Sequence, residues 1–86
     1  MSDLEIVNKK KNDLIEVLRN LKDLRKLGED NDTNISLIEG AEQRTLTLIN
    51  EISIIIMNNS RHAEEPEWVE LISSFSTSLS QLGKEA

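Results

Sequence analysis

Apolar residues in this chain fall into three stretches of helical period, separated by two polar breaks. In the first, Leu4, Val7, Leu14, Val17, Leu18, Leu21 and Leu24 gather on one side of a helical wheel. Ser2 or Asp3 can cap such a helix, which is expected to span about 3–27. Gly28 supplies the left-handed position at its C-terminal end, where Arg25 and Lys26 suit the negative end of the dipole. Its weak point is Lys9-Lys10-Lys11-Asn12, where Lys11 takes a seam position. The first two turns are therefore expected to fray or to lean on a partner.

After the polar turn from Glu29 to Thr33, Thr33 or Asn34 can cap a second helix over about 34–58, and Ser36 to Glu39 has the capping-box spacing. Ile38, Ala41, Leu48, Ile49, Ile52, Ile55 and Ile56 share one face of it. Ile35, Leu46 and Met57 widen that face to more than half the circumference at roughly 100° per residue. A stripe so broad needs more than one neighbour. A strand competes here, because Thr45 to Leu48 alternates and Ile52 to Met57 is rich in β-branched residues. Helix is preferred, since a strand needs a partner strand and no other segment reads as one.

In the third stretch Trp68, Ile72, Phe75, Leu79 and Leu82 recur at alternating steps of four and three, the spacing of a heptad seam. This predicts a helix over about 66–82, opened by Pro66 and closed by Gly83. Ser73, Ser74, Ser76, Thr77, Ser78 and Ser80 are placed on the opposite face. That face reads either as the surface of a mobile tail helix or as a side for close packing. The first is expected, because serine does not itself drive burial.

The resulting expectation is one all-α domain over 1–86: a long antiparallel hairpin plus a shorter C-terminal helix, resembling a three-helix bundle and oligomeric. At 1.5 Å per residue the hairpin helices would be roughly 37 Å long and the third roughly 25 Å, which leaves about 12 Å of hairpin uncovered. A second chain is expected at that end. A chain of 86 residues without cysteine has no disulfide to supplement its core, so burial against another chain would add to its stability.

Charge narrows the partners. The net charge is -6, which argues against nucleic acid or an anionic membrane as the main partner. Residues 1–28 nevertheless hold seven of the ten basic groups, so a basic first helix faces an acidic remainder. Arg19, Lys22 and Lys26 share a flank that could bind an anion, but the chain has one Trp, one Phe and no Tyr with which to stack bases. No apolar run is long enough to span a bilayer, and the first residues lack the pattern of a secretory signal. An intracellular, cytoplasmic protein is expected.

Candidate chemistry is sparse. Asp30-x-Asp32-x-Asn34 has the start of a calcium loop, yet the sixth position is Ile35 instead of Gly and the twelfth is Ala41 instead of Glu, so it reads as a solvated turn. His62 with Glu64 and Glu65 lacks a second His or Cys at ligand spacing. Phosphate loops and nucleophile elbows are absent too. The sequence thus predicts no catalytic residues, no metal and no cofactor. Its functional expectation is protein binding through helix packing, as scaffold subunit, adaptor or inhibitor. The residues expected to carry it are Trp68, Ile72, Phe75, Leu79, Leu82, Leu46, Ile49, Ile52 and Ile56, with Trp68 equally placed to cap the core. The alternative is a helical oligomer that holds a small anionic ligand such as a nucleotide, with phosphate on Arg19, Lys22 and Lys26 and a base against Trp68.

Overall fold

The computed structural model describes residues 2–28 and 32–85, and of residues 82–85 the backbone alone. Three helices make up the architecture: α1 (Asp3–Leu27), α2 (Asp32–Asn58) and α3 (Pro66–Glu85), with a 3₁₀ turn at Ser60–His62 between the last two. No strand occurs among the described residues. The β-branched run of α2 is helical throughout, and Thr45 and Ser53 turn their hydroxyls back onto the Ala41 and Ile49 carbonyls at 2.8 and 2.7 Å.

The ends of α1 follow from local chemistry. Ser2 accepts a hydrogen bond from the Glu5 amide at 3.2 Å, and its carbonyl accepts one from Ile6. At the other end Gly28 adopts a positive φ of 84°, which a side chain would strain, and donates its amide to the Arg25 carbonyl. The triple-lysine segment stays helical. Lys10 reaches across to Glu51 of α2 at 2.5 Å, and Lys11 is half-buried.

Two expected helix boundaries are corrected. Because α2 begins at Asp32, Thr33 and Asn34 lie inside its first turn and do not cap it. Asn34 instead is buried and donates its amide to the Leu24 and Gly28 carbonyls, closing the exposed end of α1 from within α2. At the C-terminal end α3 runs on through Gly83 to Glu85, beyond the expected stop. Glycine ends a helix only when it turns to positive φ, and Gly28 is the one glycine that does so among the described residues.

The core runs along the hairpin and under α3. Val7 and Leu14 of α1, Leu48 and Ile52 of α2, and Trp68, Leu71 and Phe75 of α3 form one buried cluster. Leu4, Val17, Leu18, Ile49, Ile55, Ile56 and Leu79 pack around it half-buried. Leu21 and Ile38 are also buried, but outside that cluster. Burial on α3 therefore follows the path Trp68, Leu71, Phe75, Ser78, one residue back from the expected seam at two of its steps. Ser78 is 7% exposed, so its assignment to the outer face is overturned. Its hydroxyl donates to the Ser74 carbonyl at 3.1 Å, which satisfies the donor inside the core. α3 approaches α1 more closely than it approaches α2, and a side chain as small as Ser78, with its hydroxyl bonded within its own helix, can be buried at low cost.

A polar joint fixes the far end. Asn59 is buried and donates its amide both to the Ile55 carbonyl at 2.8 Å and to the Asp3 carboxylate at 2.9 Å, tying the start of α1 to the end of α2. Pro66 opens α3 as expected, and the Glu65 carbonyl accepts the first helical bond from Val69 at 2.9 Å.

Candidate functional site

The residues expected to bind protein divide by depth. Trp68, Phe75 and Ile52 are buried in the core cluster, where they hold the three helices together. Ile49, Ile56 and Leu79 are half-buried against it, Ile72 is half-buried, and Leu46 is 60% exposed. The side chain of Leu82 lies outside the described residues. The structure adds Met57, 71% exposed, and Val69, 49% exposed, to the apolar residues that solvent reaches.

Helical geometry sorts these positions into flanks. The α1-facing flank of α2 is marked by Glu51, bonded to Lys10, and by Arg44, which lines a shallow groove with Asp13, Glu16, Val17 and Asn20 of α1. Ile49 stands two residues before Glu51 and Leu46 two residues after Arg44, so each lies roughly 200° round the helix, on the flank away from α1. On α3, Val69, Ile72 and Leu79 stand roughly 140–200° from Ser74 and so away from the side that carries the small residues. What remains is an apolar strip along α2 and α3, formed by Leu46, Ile49, Met57, Val69, Ile72 and Leu79. The backbones of these two helices approach each other less closely than those of α1 and α2.

Sequence reading missed Leu71, which is buried, and Val69, which is exposed on the strip. Leu71 belongs to a second path of threes and fours, Trp68, Leu71, Phe75, Ser78, running beside the chosen seam, whereas Val69 stands two residues before Leu71, roughly 200° round the helix. Nothing in an apolar count separates two such paths when a serine completes one of them.

The electrostatics are local. Glu51 has its carboxyl held below the ordinary carboxylate range, chiefly by the hydrogen bond from Lys10, with the Lys10 and Arg44 charges adding and desolvation opposing. His62 sits in the α2–α3 connection, where Arg61 Nε donates to its Nε2 at 3.1 Å. That leaves Nδ1 as the donor toward the Glu65 carboxylate beside it. The imidazole lies on the indole of Trp68 with centroids 6.3 Å apart and planes 16° from parallel. Asp30, the first residue of the calcium-loop resemblance, is outside the described residues; Asp32 and Asn34 lie in the first turn of α2. Among the described residues no three or more His, Cys, Asp or Glu side chains gather as metal ligands.

Arg19, Lys22 and Lys26 are exposed along α1. Trp68, the aromatic expected to stack a base in the alternative reading, is only 5% exposed and has His62 against it. No helix among the described residues is long and apolar enough to cross a membrane. Comparisons of the chain with family models, with curated proteins and with solved structures find no match.

Proposed function

We propose that this protein is a helix-packing interaction module, which works as a scaffold subunit, adaptor or inhibitor by offering the α2–α3 strip to another helical surface. The observation that carries the reading is that Leu46, Met57 and Val69, three of the six exposed large apolar residues beside Leu27, Leu37 and Ile54, fall by helical spacing on the flanks that hold half-buried Ile49, Ile72 and Leu79. A helix laid between α2 and α3 would meet anchors at helical spacing from both sides. The reading of a nucleotide-binding oligomer has less support, because burial of Trp68 withdraws the ring face on which a base would stack.

The test is site-specific photo-crosslinking in cells that produce the protein. A photoreactive amino acid at position 46 or 69 should give protein adducts of discrete mass. The same probe at position 19, exposed on α1 and off the strip, should give none. Absence of adducts from positions 46 and 69 sinks the proposal, and stabilisation by a nucleotide panel would favour the alternative.

A further inference from the structure

We propose that the occupant of the α2–α3 strip is the same strip of a second copy of this chain, packed about a twofold axis so that two copies of α2 and two of α3 form a four-helix core. This rests on the interaction-module reading above and names its partner.

The first argument is charge. Nearly a third of the residues are charged and the net charge is -6, so most faces of this molecule would repel their own image. The strip carries less charge. From Thr45 to Ser60 the only charged residue is Glu51, turned to α1 and bonded to Lys10, and Glu42, four residues before Leu46 on the same flank, marks the end of the strip. On α3, Glu67 and Glu70 lie roughly 160° and 100° round the helix from Val69, and from Leu71 to Gly83 there is no charge. A twofold interface sets each patch against itself and therefore needs a patch that is self-complementary. An uncharged face bordered by Ser73, Ser76 and Ser80 meets that need, whereas a partner recognised by charge would leave a charged rim for its recognition.

The second argument is area. With the uncharged stretch of α2 about 24 Å long and two helices each about 10 Å wide, the face presents roughly 500 Å² per copy and roughly 1,000 Å² per pair. That is about the least area a biological interface buries. It also fits the incomplete closure of α2 on α3, because a layer of two helices laid on its image forms a bundle core without any change in α1.

The experiment is light scattering and sedimentation of the parent chain across a range of concentrations, with far-UV circular dichroism of each variant. The parent is expected to show about twice the 9.8 kDa chain mass, and a melting temperature that rises with concentration. Leu46→Glu and Ile72→Glu place like charges across the axis and should each yield a helical monomer. Asn12→Glu, at an exposed position of α1 roughly 200° from the buried Leu14, should leave the dimer intact. If Ile72→Glu fails to fold, the more exposed Leu46→Glu and Val69→Glu carry the test. A monomeric parent, or a dimer indifferent to these charges, overturns the proposal. A monomeric parent whose position 46 still crosslinks a different protein overturns the twofold pairing and leaves the module reading standing; a monomer with no adduct overturns both.

Discussion

The two flanks of α2 differ in how completely this chain covers them. Toward α1 the helix is closed: Leu48 and Ile52 meet Val7 and Leu14 with almost no exposure, and the Lys10–Glu51 pair spans the rim. Toward α3 it is open, with Leu46 and Met57 in solvent and Ile49 half-covered. The difference follows the position of α3, which approaches α1 more closely than it approaches α2. The apolar arc of α2 is thus wider than its own chain covers.

The largest effect expected on this contrast comes from removing buried bulk. Trp68→Ala and Phe75→Ala should each cost about 3–5 kcal/mol and Leu71→Ala about 2–5, measured by chemical denaturation. Leu46→Ala, the same truncation as Leu71→Ala but on the open flank, should change the unfolding free energy of the single chain by no more than about 0.5 kcal/mol. Equal costs for the two leucines would mean that the flank is as closed as the core.

A change of the opposite kind tests why α3 leans on α1. Ser78→Leu should destabilise by about 1–3 kcal/mol, because no room exists for the larger side chain, whereas Ser78→Ala should be near neutral. A stabilising Ser78→Leu would place the serine on an open face after all and reverse the account of the two flanks. At the closed end, Asn34→Ala should cost about 1–2 kcal/mol by leaving the Leu24 and Gly28 carbonyls without its amide. An unchanged denaturation midpoint would show that water replaces the amide there.

The smallest effect is the rim pair. With its carboxyl depressed, Glu51 contributes stability that is present above the ordinary carboxylate range and lost as pH falls through the lower folded value. Glu51→Gln should remove that part of the acid slope in melting temperature and leave the neutral-pH value little changed. An identical slope in both proteins would assign the acid sensitivity to other carboxylates.

Much of the fold was written in residues whose roles are local. The period of the apolar positions, Ser2 before α1, Gly28 at its end and Pro66 before α3 each act within a turn or two, so the sequence reports them directly. The boundaries that went astray depended on distant partners. Asn34, inside the first turn of α2, donates to the Leu24 and Gly28 carbonyls of α1, and Ser78 is buried with its hydroxyl on the Ser74 carbonyl. The candidate surface was legible in the same limited sense. Leu46, Ile49, Ile72 and Leu79 were named from breadth and spacing, yet grouped with Trp68, Phe75 and Ile52. Only the position of α3 tells anchors of the core from those left at the surface.

The Asn59–Asp3 bond has a consequence for the order in which the molecule assembles. Its two residues are 56 apart in sequence, and closing a free loop of that length costs on the order of 3–4 kcal/mol in chain entropy, more than one hydrogen bond returns. Once α1 and α2 have zipped together from the Gly28 turn, the same two residues are already neighbours and little entropy is left to lose. The bond therefore closes late, and pulsed hydrogen exchange should protect amides near Leu21 and Ile38 before those near Asp3 and Asn59. Because α3 springs from the residues just beyond Asn59, the same bond couples the first turn of α1 to the anchorage of α3.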